Sequence, residues 1–304
     1  MNDETIIAES ICETAEVRGT APALPLAAER ESSQPLLVIQ PKSGWSALDL
    51  GEIWAHRELL YFLTWRDIKL RYKQTMLGAI WAILQPLLPM VIFTLFFGRL
   101  AGMPSDGIPY SIFAYAALLP WTYFANAVSN SSVSVVGNST LVSKVYFPRM
   151  IIPGAATLAA LLDFFFGLIM LGVLMLWHHV SLHLSILMFP ALAVLTTALA
   201  LGIGLLFSAW NVRYRDIRYA LPFVVQFWMF ATPVIYPASL VPHKWRWALA
   251  LNPLTGVIEG FRSALFGRPF DWMSLGFSSG VAILLLFYAG FAFRRMERTF
   301  ADTI

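Results

Sequence analysis

Residues 151–177 read IIPGAATLAALLDFFFGLIMLGVLMLW, an apolar run broken by a single charge, Asp163. A helix that crosses a bilayer needs about 17–25 such residues, and this run is long enough. Five further stretches of the same character accompany it, at 76–97, 108–128, 184–210, 219–236 and 275–293. The one at 219–236 is the shortest. Gln85-Pro86 and Pro89 interrupt the one at 76–97.

Composition agrees with the runs. Over 304 residues, 58% are hydrophobic and 13% are charged, with a mean hydropathy of +0.66. A soluble domain carries about 25% charged residues and could not hide so much apolar surface. An ordinary soluble enzyme and a disordered protein are both excluded. The expected fold is an all-α polytopic membrane protein with six transmembrane helices.

Outside the spans the chain changes character. Residues 1–44 carry an excess of acids and include Pro22, Pro25, Pro35 and Pro41. They read as a disordered acidic tail with no apolar run near the start, and so not as a cleavable secretion signal. Residues 45–75 read as an amphipathic interfacial region. Trp54, Tyr61, Trp65, Ile68 and Tyr72 recur at helical spacing, while Arg66, Lys69 and Lys73 take another face. A helix so charged lies in the headgroup layer and does not cross it. Residues 76–304 form the transmembrane domain.

Lys and Arg set the expected orientation. With six spans and a cytoplasmic N-terminus, sixteen bases fall inside. Only Arg99, Lys244, Arg246, Arg262 and Arg268 fall outside. Both termini are then cytoplasmic. The segment 237–271 is too apolar for a free loop. A short helix over 245–251 and a second over 254–266 are expected, with Asn252-Pro253 as N-cap and first helical residue and Gly267 as the stop. Such a pair makes a re-entrant hairpin on the outer side.

Catalytic signatures are missing from the sequence. It has no GxxxxGK[ST] phosphate loop and no HExxH, and Cys12 is its one cysteine. His178, His179 and His183 read as an exposed polar loop, with no metal assigned. Asp163 reads as a hydrogen-bonded structural carboxyl. A proton relay would need a basic partner or further acids inside the spans, and the nearest bases are Arg213 and its neighbours. The inner loop at 139–150 suggests an amphipathic helix with Val142, Val145 and Tyr146, ended by Pro148. The other inner loop concentrates Arg213, Arg215 and Asp216 in a tight turn.

The ordered blocks LRYKQTMLGAIWAILQPLL (70–88), LVSKVYFPRMIIP (141–153), NVRYRDIRYALPF (211–223), TPVIYP (232–237), NPLTGVIEGFR (252–262) and FRRMERTFAD (293–302) resemble the membrane subunits of ABC-2 type polysaccharide exporters. The resemblance covers about 54–302 and implies export of O-antigen, capsule or teichoic-acid polymers on lipid carriers, across a bacterial inner membrane. It implies two copies of this chain with two copies of a separate ATPase, which would hold ATP and Mg. This chain itself would be neither an enzyme nor a cofactor carrier.

By the resemblance, Trp65, Arg66, Lys69 and Tyr72 belong to the interfacial helix. Ser143, Lys144, Val145, Tyr146, Phe147 and Arg149 couple to the ATPase. Asn252, Glu259 and Arg262 shape the outer hairpin, with Glu259 and Arg262 spaced to pair. Trp81, Trp121, Phe124, Trp228 and Tyr236 are candidates to stack on sugar rings, and Gln85 to hydrogen-bond them. A small-molecule ABC-2 exporter, a membrane-embedded glycan-assembly enzyme and a passive scramblase are the rival readings. No nucleic-acid partner is expected.

Overall fold

A computed structural model describes residues 50–73, 78–181 and 183–300, which belong to one compact unit. The expected tail at 1–44 lies outside these residues. All regular structure among the described residues is helical.

The chain begins with α1 (Leu50–Ala55) and α2 (Arg57–Tyr72). A break at His56 divides what the spacing suggests as one amphipathic helix. Trp54, Tyr61 and Trp65 are exposed along it, whereas Leu63 is buried against the bundle. The aromatic face therefore points away from the protein. Ile68 and Tyr72 depart from that face and are half-buried.

Next comes α3 (Ile80–Phe93), which runs through Pro86 and Pro89 and widens into a π-helical turn over Thr94–Leu100. Each proline removes one N–H donor from the ladder. The long α4 (Tyr110–Gly137) is the central post. Its residues Ile112–Leu119 are all buried. It packs along α6 (Ile151–Trp177) and α7 (Phe189–Arg213). Between α4 and α6, the short α5 (Ser139–Lys144) turns the chain.

Small residues let these helices approach closely, as packing in membranes requires. A Cβ added at Gly204 of α7 would lie 2.5 Å from Ser131 Oγ on α4. After α7 follow α8 (Ile217–Ala231) and a non-helical stretch, Thr232 to Pro237. Then come α9 (Arg246–Ala250), α10 (Pro253–Phe266) and α11 (Trp272–Glu297), the last packed on α7 and α10.

Among the described residues, four helices are long and apolar enough to cross a bilayer: Ile80–Leu100, Ile151–Trp177, Leu184–Arg213 and Trp272–Glu297. At 15 residues, α8 is shorter. The 28-residue α4 has the length but carries polar residues such as Asn126, Asn130, Ser131 and Ser134.

The 237–271 segment follows its local signals. Asn252 caps α10 by accepting the Leu254 N–H at 3.1 Å, with Pro253 as the first helical residue. Gly267, at φ +65°, ends the helix in the left-handed region. Leu254, Val257, Ile258, Phe261 and Leu265 are buried, so α10 sits within the bundle against α4, α7 and α11.

Candidate functional site

A polar cleft opens part-way along the bundle, beside the middle of α6. It occupies about 260 Å³ between α2, α3, α4 and α6. Trp81 and Gln85 line it from α3, and Asn126 and Asn130 from α4. Asn126 and Asn130 are one helical turn apart and so share a face. Asn126 Nδ2 donates to Gln85 Oε1 at 2.7 Å. The Asn130 amide makes no hydrogen bond among the described residues and is half-buried. Trp81 is about half exposed.

The back wall is Asp163 of α6, only 9% exposed. Arg71 and Tyr72, at the end of α2, both donate to its carboxylate, one to each oxygen. Asp163 is thus hydrogen-bonded, as expected of a structural carboxyl, and the basic partner that the spans do not supply is Arg71, which lies outside every apolar stretch. Burial, reinforced by the bond to Asp163, pushes the Tyr72 phenol above its ordinary pKa, so it stays protonated and keeps donating. A buried carboxylate is tolerable only with such compensation.

The end of the bundle that carries α1 and α5 is tied by an ion pair and two hydrogen bonds. Arg294 of α11 meets Glu52 of α1 at 3.2 Å. Glu297 accepts the backbone N–H of Arg149 at 3.0 Å, and Arg149 Nη1 donates to the Glu297 carbonyl at 2.8 Å. Arg149 is thereby held within the chain. Its neighbours are not. Ser143, Lys144 and Val145 are exposed, and Tyr146 stands 82% exposed at the tip of the loop. The expected loop helix ends sooner than Val145 and Tyr146 require. Its last residue is Lys144, and Val145 is already extended. Val142 and Phe147 turn inward and anchor the loop.

The remaining expected positions divide in the same way. Trp65 is exposed with Lys69 Nζ 5.3 Å from its ring centre, and Arg66 pairs with Asp67 at 2.8 Å. Arg213 lies over the Tyr214 ring at 5.5 Å, while Arg215 and Asp216 are exposed. Of the aromatic candidates, only Trp81 reaches the cleft, together with Gln85. Trp121 and Phe124 are buried in the core. Phe124 packs edge-on against Trp228 at 5.5 Å, and the Trp228 indole donates to Asn252 Oδ1 at 3.2 Å. Tyr236 is half-buried in the non-helical stretch after α8.

At the opposite end, Arg262 is 2% exposed. Its guanidinium donates to the carbonyls of Pro233 and Val234 at 2.7 and 2.8 Å, and to Glu259 at 2.9 Å. It also lies 3.7 Å over the Phe113 ring. Three carbonyl and carboxyl acceptors around one cation make a strong clamp. Glu259 and Arg262 do pair, but the main role of Arg262 is to hold the backbone where α8 unwinds. Arg268 bonds Asp106 at 2.8 Å and ties the α3–α4 loop to the turn after α10.

Sequence reasoning missed Arg71, Asn126 and Asn130. A signal for the asparagines was present: two amides four apart, and so on one face, within a helix long enough to span. Arg71 had no local signal.

Comparison with known proteins places residues 58–266 within the ABC-2 type transporter family. An O-antigen export system permease protein RfbA from Myxococcus xanthus is 27% identical over 256 residues, covering 83% of this chain and 98% of that protein. One of the same name from Klebsiella pneumoniae is 26% identical over 250 residues, covering 81% and 95%. The polysialic acid transport protein KpsM of Escherichia coli is 25% identical over 240 residues, covering 76% and 91%.

Proposed function

The chain belongs to the ABC-2 type transporter family, and from that premise we propose that it is the membrane subunit of an ATP-driven exporter of lipid-linked polysaccharide, of the O-antigen or capsule class. The observation that carries this reading is the likeness, over nearly the whole length, to permeases named for O-antigen export. In this reading two copies of the chain assemble with two copies of a separate ATPase in the bacterial inner membrane. ATP and Mg belong to that partner.

The six spans are α3 with its π-helical extension, α4, α6, α7, α8 and α11. Both termini are cytoplasmic, α2 lies in the inner headgroup layer, and α9–α10 form the outer re-entrant hairpin. Exposed aromatics at Trp54, Tyr61 and Trp65 support the placement of α2.

Transport follows from how the parts are tied. Tyr146 and Lys144 project from the loop and are the natural surface for the ATPase. Closure of the ATPase on ATP pushes this loop. Arg149 and Glu297 pass the push to α11, and Glu52 with Arg294 pass it to α1. Asp163 links α2 to α6 through Arg71. The inner end therefore moves as a block, and differential binding of ATP to the closed state supplies the bias. At the outer end, Arg262 holds the unwound stretch that the hairpin covers.

The test is deletion of the gene followed by analysis of surface and internal polysaccharide. Polymer lost from the surface and trapped inside supports export. Unchanged surface polymer overturns it in favour of small-molecule export, and absent synthesis favours the enzyme rival.

A further inference from the structure

We propose that the cleft between α2, α3, α4 and α6 is a binding site for one pyranose ring of the polymer on its way through the membrane, with Trp81 as its stacking platform and Gln85, Asn126 and Asn130 as readers of its hydroxyl or acetamido groups. The proposal rests on the export reading and gives it a specific contact.

Size is the first argument. At about 260 Å³ the cleft is smaller than the usual range of roughly 300–1,000 Å³ for drug-sized ligands, and such pockets are mostly apolar. It has room for a single ring and not for a chain.

Charge is the second. The cationic and anionic groups of the cleft, Arg71 and Asp163, are bonded to each other. A phosphate entering here meets a carboxylate already seated on the guanidinium. The wall is locally neutral, which suits an uncharged polyhydroxylated ring.

Hydrogen-bonding capacity is the third. Gln85 and Asn126 engage one donor and one acceptor with each other. This leaves the Gln85 NH₂ and the Asn126 carbonyl for a ligand. Asn130 brings a whole amide that no described residue satisfies. Amides at this depth are costly unless something bonds them. They lie about 10–17 Å along α4 from its end at Gly137, given a rise of 1.5 Å per residue. Beside them the half-exposed Trp81 presents an apolar face, and pyranose rings have an apolar face of C–H groups to set against it.

The experiment uses the permease co-purified with its ATPase in lipid nanodiscs. Saturation-transfer NMR with the methyl glycosides of glucose, galactose, mannose and N-acetylglucosamine reads the contact. At least one glycoside should receive saturation. Asn130→Ala and Trp81→Leu should each reduce that signal at least fivefold, while Trp81→Phe should retain more than half. Asn130 makes no side-chain hydrogen bond among the described residues, so its variant is the one best placed to keep wild-type melting behaviour. Equal signals from wild type and both variants overturn the proposal. So does displacement of the glycoside by inorganic pyrophosphate at equal concentration, which would make the cleft an anion site.

In cells, Asn130→Ala should cut surface polymer at least threefold. Normal surface polymer in that variant, with the deletion still trapping polymer inside, sinks the cleft alone. A deletion that traps nothing sinks the export reading itself.

Discussion

Asp163 shows how one residue decides the attachment of a whole helix. Its carboxylate takes a charged donor from Arg71 and a neutral one from Tyr72, across 92 and 91 residues of sequence. Removing one partner of a fully buried pair costs about 3–5 kcal/mol. The Arg71 side chain is 30% exposed, so solvent screens part of that loss. We expect Arg71→Ala to destabilise by about 1–3 kcal/mol and Tyr72→Phe by about 0.5–1.5 kcal/mol, read as melting temperature in nanodiscs. In a double-mutant cycle, Arg71→Ala with Asp163→Ala should destabilise by clearly less than the sum of the singles. Strict additivity would show that the pair contributes nothing. The sequence singled out Asp163 as an intramembrane acid in need of company. It did not identify that company, because Arg71 lies outside every apolar stretch and only packing brings it to Asp163.

At the scale of elements, the caps and crossings carry the argument. Asp271 caps α11 by accepting the N–H groups of Met273 and Ser274 at 3.2 Å and the Ser274 hydroxyl at 2.6 Å. The Ser274 hydroxyl, with those N–H groups, holds its carboxyl below the usual carboxylate range, against partial desolvation. A lowered folded-state pKa means that the capping contribution is fully present above the ordinary value of about 3.9. It is lost as pH falls through the folded-state value. Asp271→Ala should cost about 1 kcal/mol at neutral pH. Asp271→Asn should keep most of the cap and remove its acid dependence, and melting curves between pH 3 and 7 check both. The α10–α11 crossing gives a second prediction. A Cβ at Gly256 would stand 2.5 Å from the Ser274 carbonyl oxygen, which is backbone and cannot swing away. Gly256→Ala should destabilise by about 1–3 kcal/mol. Gly276 has nothing within 4 Å, so Gly276→Ala should be neutral or stabilise by up to about 1 kcal/mol. Equal melting temperatures for the two variants would refute the close crossing. Both ends of α10 were legible in advance, since Asn252-Pro253 and Gly267 act through their own backbone geometry. The end of α5 was not, because Val142 and Phe147 anchor in the core on either side and pull Val145 into extended backbone.

For the whole molecule, sidedness and partnership are the claims to check. With Cys12→Ser as background, Lys244→Cys should react with an impermeant maleimide added outside intact spheroplasts, and Lys144→Cys only after lysis. The reverse pattern overturns the proposed orientation. Lys144→Glu or Tyr146→Ala should reduce co-purification of the ATPase at least threefold without shifting the melting temperature, since both side chains are exposed. Arg149→Glu should do both, because Arg149 is held by Glu297 inside the chain.

Taken by itself, the sequence determined the membrane class, the positions of most helices, the caps of α10 and the pairing of Glu259 with Arg262. All of these follow from hydropathy, periodicity and capping, which act over a few residues. Only the tertiary structure decided which base compensates Asp163, which backbone Arg262 clamps, and which aromatics are core and which line an opening. A buried charge takes the partner that packing brings near it. Helix crossings set by small residues such as Gly204 and Gly256 bring together groups that no local pattern relates. The cleft is the product of that convergence. Two amides from α4, a glutamine and a tryptophan from α3, and a neutralised ion pair between α2 and α6 meet only when the helices do.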